Sequence, residues 1–408
     1  MTSTLPDFRD PQVLLAHMRH TLDFYAPRAA DPSGGCFHFF KDDGTVYDRR
    51  TRHLVSSTRF VFNLALAHRW FDGDRGCVTS AFDFVRRAHA QPGGYAWQID
   101  WHEGQARVTD GTHHCYGLAF VLLAHAHAAD AGVAGADDGI RETFDLMESR
   151  FWEPAHGLYA DEASPQGVLS PYRGQNANMH ACEAMLAAHA ATGDSLYLDR
   201  ALSLADSIAR RQAELSGGLV WEHFHANWTP DWDYNRHDRT NIFRPWGFQT
   251  GHLTEWAKLL LQLERRLGPG APIWLMPTAR RFFDAAMSRG WDDVNGGLVY
   301  GFAPDGSVCD SDKYFWVQAE SLAAAAWLAV RTGDEAYWRH YDRLWAYAWQ
   351  HFVDHEHGAW YRILSSTNQK VTDEKSPAGK TDYHTLGACQ DVLAALGIKA
   401  DASSGACA

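Results

Sequence analysis

The feature of this 408-residue chain that most restricts its fold is a weak internal repeat. A glycine followed by aromatic and β-branched residues recurs six times, at intervals of about sixty residues apart from one gap of 79 residues between Gly218 and Gly297. A glycine ahead of such residues predicts a turn and a short strand, so we expect six similar units, each with a hairpin. The six segments are GGCFHFF, GGYAWQI, HGLYADE, GGLVWEHF, GGLVYGF and HGAWYRI.

Helical patterns fill the stretches between these hairpins. Stretches before a hairpin, such as YLDRALSLADSIARRQAEL, mix charged and apolar residues at a spacing of three to four, which is typical of a helix with one solvent-exposed face. Stretches after a hairpin, such as HCYGLAFVLLAHAHAA, are more uniformly apolar and predict buried helices. Six such pairs predict an all-α (α/α)6 barrel, with short β-hairpins linking outer to inner helices at one end. The alternative is an open α-solenoid, which is disfavoured because the chain has no distinctly polar capping repeats.

Composition narrows the possible partners. The formal charge of −13 argues against a nucleic-acid partner and against an anionic membrane surface. The N-terminal MTSTLPDFRD lacks a signal-peptide pattern, and the seven scattered cysteines without a CxxC pair favour a reduced, cytoplasmic protein. We expect one catalytic barrel domain over residues 1–398 and a polar tail over residues 399–408. Both a monomer and a homo-oligomer remain open.

The topology would gather all six inner-helix N-termini at one end, and polar residues occur there in every unit. Pairs such as His180 with Glu183 and His252 with Glu255 are three residues apart and share a helix face, so each Glu could hold an imidazole. With 23 histidines in the chain, any single one could be a buried structural residue. The recurrence in six otherwise apolar helices favours one shared pocket, because buried polar groups are costly without partners. The candidates are Arg59, His113, His114, Asn176, Asn178, His180, Glu183, His252, Glu255, Trp316, Glu320, Asp382 and His384.

The long gap in the repeat comes from the segment DWDYNRHDRTNIFRP, residues 231–245. A long irregular loop beside a pocket is often a lid. Its Arg236, Arg239 and Arg244 are candidates for substrate contact, and of these we select Arg239. The alternative is a solvated charged loop.

Several of these motifs resemble the N-acylglucosamine 2-epimerase superfamily of (α/α)6-barrel sugar epimerases and isomerases. The resemblance rests on STRFVFN, YRGQNANMHACEA, GHLTEWAKLL, WVQAES and KTDYHTLG, and the RGQNANMH run is most similar to the mannose isomerase and sulfoquinovose isomerase branch. It implies that His252 and His384 are the catalytic acid/bases. It also implies a histidine at position 113 or 114, of which we favour His114. The residues implied to shape the site are Arg59, Asn178, His180, Glu255, Trp316 and Glu320.

The implied reaction is the interconversion of D-mannose with D-fructose, or of D-lyxose with D-xylulose, through a cis-enediol. Histidine suits this proton transfer because its ordinary pKa of about 6.5 lies near working pH. A sugar 2-epimerase and a sulfoquinovose isomerase are alternatives on the same scaffold. A glycosidase using Glu255, Glu320 or Asp382, and a non-catalytic sugar-binding module, are alternatives of other classes. We expect a small monosaccharide as the substrate, with no cofactor and no metal.

Overall fold

The computed structural model describes residues 5–26, 28–238, 241 and 243–400. Within them, helices and short hairpins alternate along the chain as the repeat predicts. The twelve helices of these residues are α1 (Pro11–Tyr25), α2 (Leu54–Phe71), α3 (Arg75–Ala88), α4 (Cys115–Asp130), α5 (Ala136–Phe151), α6 (Gln175–Thr192), α7 (Ser195–Ala205), α8 (Thr250–Leu267), α9 (Leu275–Gly290), α10 (Phe315–Thr332), α11 (Glu335–His351) and α12 (Tyr383–Ala395). A π-helical segment, Asp206–Gln212, continues α7.

Odd-numbered helices are outer and even-numbered helices are inner, and the burial of their side chains follows this arrangement. The outer helix α3 buries Val78, Phe82 and Val85 on one face while its other face is solvent-exposed. The inner helix α4 is buried almost all round: between Cys115 and Ala128, all side chains but two are buried. The inner helices therefore form the core of the molecule, and the outer helices cover them.

The strands are short and lie between the helices. Those of the described residues are β1 (Phe39–Lys41), β2 (Val46–Asp48), β3 (Thr51–His53), β4 (Ala90–Gln91), β5 (Gly94–Tyr95), β6 (Gln98–His102), β7 (Gln105–Asp110), β8 (His113–His114), β9 (Trp152–Glu153), β10 (Leu158–Tyr159), β11 (Glu162–Ala163), β12 (Arg173–Gly174), β13 (His223–Phe224), β14 (Phe248–Gln249), β15 (Gly301–Phe302), β16 (Val308–Asp310), β17 (Lys313–Tyr314), β18 (Ile363–Leu364) and β19 (Glu374–Ser376).

Strand pairing links each unit to the next one around the ring. The strand that leads into an inner helix pairs antiparallel with a hairpin strand of the following unit: β3 with β6, β8 with β11, β12 with β13, β14 with β15, and β17 with β18. The last such strand, β19, pairs with β1 of the first unit. The helix α12 also packs on α2 and α10. The ring is therefore closed, which confirms the (α/α)6 barrel and excludes the open solenoid.

Five inner helices begin in the same way. The first backbone N–H of the helix donates to a carbonyl in the hairpin of the following unit, which fixes where the helix starts. The donor and acceptor pairs are Leu54 and Trp97, Cys115 and Asp161, Gln175 and Glu222, Thr250 and Tyr300, and Phe315 and Arg362. One end of the barrel thus collects both the inner-helix N-termini and the hairpins.

Tight turns join inner to outer helices at the opposite end. Gly193 and Gly333 adopt positive φ angles of 71° and 69°, which a glycine adopts without a steric cost. The next residues, Asp194 and Asp334, cap α7 and α11 by accepting from backbone N–H groups two residues on. Of the predicted tail, only residues 399 and 400 are among the described ones, and residues 401–408 lie outside them. Among the described helices, none combines the length and apolar character that crossing a bilayer requires.

Candidate active site

A cavity opens at the hairpin end of the barrel. It encloses about 850 Å³, including the part that is open to solvent. The second residue of five inner helices contributes to its wall, and the sixth residue of three helices contributes one turn deeper. The wall is formed by His53, Val55, Arg59, Trp97, Tyr116, Asn176, His180, Phe243, Pro245, His252, Glu255, Tyr300, Tyr314, Phe315, Trp316, Arg362, Pro377, Ala378, Gly379, Lys380 and His384.

His384, the second residue of α12, is held from both sides of its ring. Nη2 of Arg59 lies 3.3 Å from Nε2, and Oε1 of Glu320 lies 2.7 Å from Nδ1. A guanidinium only donates, so we assign the imidazole proton to Nδ1 and the lone pair to Nε2. Burial, reinforced by Arg59, lowers the pKa of His384 well below its ordinary value. The ring is therefore neutral at physiological pH and can accept a proton.

His252, the third residue of α8, is held by a different set of partners. Its Nδ1 lies 2.9 Å from Oε2 of Glu222, which also accepts from Nε2 of Gln175 at 2.9 Å. The Oε1 atom of Gln175 accepts from Nε1 of Trp256 at 2.7 Å, which fixes the orientation of the amide. The prediction that Glu255, three residues away, would hold His252 is wrong, because Glu222 reaches the ring from the neighbouring hairpin.

Trp316 lies between the two catalytic candidates. Its ring centroid is 5.0 Å from that of His252 and 5.8 Å from that of His384. Gly251 makes room for this ring, since a Cβ at that position would lie only 2.2 Å from a ring carbon of Trp316. The two imidazoles therefore flank one aromatic wall of the same cavity.

His180 and Arg59 lie one turn deeper. Nδ1 of His180 is 2.9 Å from Oε2 of Glu183, confirming the predicted pair, and Glu183 also accepts from the hydroxyl of Tyr383 at 2.5 Å. Arg59 donates to the carbonyl of Gly379 and to the hydroxyl of Tyr116. Both side chains also line the cavity.

Glu255 is the glutamate of the cavity wall, and Glu320 lies close to it outside the lining. Burial, together with nearby Glu320, raises the pKa of Glu255 well above its ordinary value. Neither carboxyl oxygen of Glu255 makes a hydrogen bond within the part of the chain that the structure describes. The raised pKa favours the protonated carboxyl of Glu255, the form that can donate into the cavity. Glu320, in contrast, is bound to Nζ of Lys258 at 2.6 Å.

Known proteins of similar sequence and fold identify the family of this chain. The sequence model of the N-acylglucosamine 2-epimerase (GlcNAc 2-epimerase) family matches residues 35–388. The chain belongs to this family. Its relatives include a D-mannose isomerase from Marinomonas mediterranea, 52% identical over 96% of this chain and 99% of that protein, and one from Thermobifida fusca, 37% identical over 86% of each chain. A crystal structure of a D-mannose isomerase superposes with a TM-score of 0.91 at 51% identity, covering 95% of this chain and 99% of that one.

The family prediction is confirmed, but three of the predicted site residues do not line the cavity. Asn178 is fully buried: its Oδ1 accepts from the N–H of Tyr159 at 2.8 Å and its Nδ2 donates to the carbonyl of Tyr159 at 3.0 Å. Because helix residues two apart point in different directions, Asn176 reaches the cavity and Asn178 cannot. Glu320 contacts Nδ1 of His384 and is not among the residues that line the cavity, in contrast to its prediction as a substrate contact.

His114 is the third such residue. It lies behind the cavity wall, with its ring against Trp97 at a centroid distance of 4.0 Å and its Nδ1 3.4 Å from Oε2 of Glu162. Its neighbour His113 is buried beside Gln91 and also does not line the cavity. The histidine implied at position 113 or 114 therefore lies outside the residues that line the cavity.

The long loop does reach the cavity, through other residues than expected. Phe243 and Pro245 line it. Arg244 is directed away from it, donating to Glu162 at 2.7 Å, and Arg236 pairs with Asp233 at 3.1 Å. The predicted contact Arg239 lies outside the described residues.

Sequence reasoning missed the contribution of the hairpins. The residue whose carbonyl receives the first N–H of an inner helix also lies at the site in four of five units: Trp97, Tyr300 and Arg362 line the cavity, and Glu222 holds His252. Each of these residues follows the last glycine of its repeat by three or four positions. That shared offset was the signal that could have found them.

Two groups of side chains have donor atoms close enough for a metal ion. They are His180, Glu183 and Glu255, and Glu255, Glu320 and His384, with their ligand atoms within 4.8 Å of one another. The second group already contacts the ammonium of Lys258 and the guanidinium of Arg59, which would repel a cation. The donor set favours metal-independent chemistry, and the absence of a metal remains a prediction.

Proposed function

We propose that this protein is a D-mannose isomerase that interconverts an aldose and its ketose by histidine-mediated proton transfer. The observation that carries the proposal is a pair of histidines, each backed by a carboxylate, facing one cavity on either side of Trp316. The identity of 52% with a D-mannose isomerase supports D-mannose as the substrate.

In this proposal His384 is the base that works on carbon. Its Nε2 carries the lone pair and faces the cavity beside Arg59. It takes the proton from C2 of the open-chain aldose and returns it to C1, while Arg59 stabilises the negative charge on the enediolate oxygen. A neutral imidazole with a lowered pKa remains available as a base even in mildly acidic solution.

His252 opens the sugar ring and exchanges protons with the substrate oxygens. The carboxylate of Glu222 fixes the orientation of its ring through Nδ1, so that Nε2 is the nitrogen that exchanges the proton. At the floor, the carboxyl of Glu255 is placed to donate to a substrate hydroxyl in its protonated form, and Nε2 of His180, whose ring proton lies on Nδ1 beside Glu183, accepts from another. A 2-epimerase would need the same base pair, with His252 returning the proton to the opposite face of C2.

The carboxylates do not favour a glycosidase. Such an enzyme needs two carboxyl groups placed across the cavity, one as acid and one as base or nucleophile. Glu320 is engaged by Lys258 and His384, and Asp382 accepts from Lys380 at 2.5 Å and from Tyr25 at 2.6 Å. Only Glu255 remains at the wall.

The test is proton NMR of D-mannose incubated with the purified protein in D₂O. We expect fructose as the first product, with deuterium at C1 wherever the base exchanges its proton with solvent. His252→Asn and His384→Asn should each lower kcat/KM by about 10²–10⁴-fold, the usual contribution of general acid–base catalysis. His189→Asn, on α6 outside the cavity, is the matched control and should keep the parental rate. Glucose formed ahead of fructose would indicate an epimerase, and an active His384→Asn protein would reject the mechanism.

A further inference from the structure

A buried chain of charges lies directly behind His384. Nζ of Lys258 is 2.6 Å from Oε2 of Glu320 and 3.2 Å from Oδ2 of Asp391. The other oxygen of Glu320 accepts from His384, and Oδ1 of Asp391 accepts from Nε2 of Gln262 at 2.8 Å. Lys258 and Glu320 are each only 2% exposed. The chain joins α8, α10 and α12, and none of the proposed chemical steps uses its lysine.

Among the described residues, the second histidine, His252, has no equivalent cation behind its carboxylate. Glu222, which holds His252, receives its other hydrogen bond from the neutral amide of Gln175. One carboxylate is thus balanced by an ammonium and the other by an amide. The two imidazoles differ in what lies behind them, although their direct partners are the same type of residue.

We propose that Lys258 is a positioning residue of this enzyme, acting on His384 through Glu320 so that His384 starts the reaction as a neutral base. The inference rests on the proposed function only in taking His384 as the base. A carboxylate without a counter-charge would draw a proton into the His384–Glu320 pair. The ammonium of Lys258 satisfies that carboxylate and makes the uptake of such a proton unfavourable.

Other charges act on the same groups, and the effect of Lys258 must be separated from theirs. Burial disfavours the charged form of Lys258, but the carboxylates around it outweigh burial and hold its pKa well above its ordinary value. Burial raises the pKa of Glu320, and Lys258 opposes this rise. The groups that face Lys258 are Glu320 on α10, Asp391 on α12, Glu183 on α6 and Glu255 on α8; those that face His384 are Glu320, Lys258, Arg59 on α2, and His180 and Glu183 on α6.

The experiment compares the pH dependence of kcat/KM among four variants. Lys258→Met and Lys258→Gln remove the cation, so the pair takes up its proton at higher pH, and the acidic limb should move up by about one pH unit or more. Glu320→Gln removes the anion and should move the same limb to lower pH. Lys258→Arg keeps the charge and should restore the parental limb. At a pH below the parental midpoint, the two neutral variants should lose roughly tenfold in kcat/KM and recover it at higher pH.

An NMR titration, which does not depend on catalytic turnover, separates this inference from the proposed function. The side-chain ¹⁵N resonances of His384, identified by their loss in His384→Asn, should titrate at higher pH in Lys258→Met and at the parental pH in Lys258→Arg. The matched control is Lys313→Met, which removes another fully buried lysine, paired with Asp292 at 2.9 Å, and should lower the melting temperature without moving the limb. A uniform loss of kcat/KM across pH in the neutral variants, with the His384 titration unchanged, would overturn the proposal even if the protein is an isomerase.

Discussion

At the scale of single residues, the site shows how position on a helix decides between contact and support. Asn176 and Asn178 are the same residue type on the same helix, two positions apart. Asn176 reaches the cavity, and its Oδ1 has no partner within the described part of the chain. Asn178 instead completes the backbone hydrogen bonds of Tyr159, and Gln318 on α10 does the same for Leu298. A polar residue in a family motif can therefore be required for the fold alone.

This difference predicts opposite outcomes for two alanine substitutions. Asn178→Ala leaves the N–H and the carbonyl of Tyr159 without their partner, so it should lower the free energy of unfolding by about 1–3 kcal/mol while KM stays at the parental value. Asn176→Ala should raise KM for mannose and leave stability unchanged. Urea denaturation and steady-state kinetics on both proteins are the measurements. A raised KM with parental stability in Asn178→Ala would show that this side chain contacts the substrate after all.

At the scale of elements, the packing of outer on inner helices depends on close approach at few points. Gly139 on α5 lies against the ring of His125 on α4, where an added Cβ would come within 1.9 Å of a ring atom. His125 also packs edge-on against Phe82 of α3, at a centroid distance of 4.9 Å. The outer helices α3 and α5 thus contact the same side chain of the inner helix α4, at a position distant from the site.

Gly139→Ala should therefore destabilise the protein without changing its catalysis. The overpacked ring must move, at a cost of about 1–3 kcal/mol in the free energy of unfolding, whereas kcat should stay at the parental value. Gly387→Ala on α12 is the matched control, since its Cβ would meet only Phe62 at an ordinary 3.8 Å and alanine favours the helix. Thermal and urea unfolding compare the two proteins. Equal stabilities would show that α4 and α5 can separate without cost.

The elements were also what the sequence predicted best. The repeat glycines and the contrast between α3 and α4 gave the hairpins, the twelve helices and the end of the barrel that holds the site. These sequence patterns could not predict a side-chain partner that comes from a neighbouring unit. Glu222 reaches His252 across a strand pair, and Lys258 reaches Asp391 across a helix interface. Spacing along one helix carries no information about such contacts, which is why Glu255 was assigned to His252.

At the scale of the whole molecule, many buried histidines are kept neutral by the fold. Five examples are His17 and His53, for which burial lowers the pKa from 6.5 to about 3, and His89, His125 and His127, for which it lowers the pKa to about 4. Burial acts in the opposite sense on carboxyl groups, and two examples are Asp161, whose pKa it raises to about 8, and Asp391, whose pKa it raises to about 6. The unfolded chain would titrate all seven groups near their ordinary values.

These shifts predict that stability falls as the solution becomes acidic. Below about pH 6.5 the unfolded chain binds protons on these histidines and the folded chain does not, which costs about 1.4 kcal/mol per pH unit for each one until its folded pKa is reached. Asp161 and Asp391 offset part of this, because the folded chain holds their protons at pH values where the unfolded chain has released them. The histidines outnumber them, so the free energy of unfolding should fall from about pH 6.5 to about pH 4.5.

Urea unfolding across this range measures the slope. His127→Gln removes one of the titrating groups and should make the slope shallower by about 1.4 kcal/mol per pH unit. Stability that is constant or increases towards acid pH would contradict the assignment of neutral buried histidines.

The pairing of β19 with β1 has a consequence for how the molecule comes apart. A row of stacked repeats with two free ends can lose its outermost repeat first and shorten step by step. A closed ring has no free end from which unfolding could start, because every unit is paired with a neighbour on each side. One strand pairing between neighbouring units must break before any unit can separate. Because these pairings lie at the same end of the barrel as the cavity, this first step already distorts the site that contains the two imidazoles.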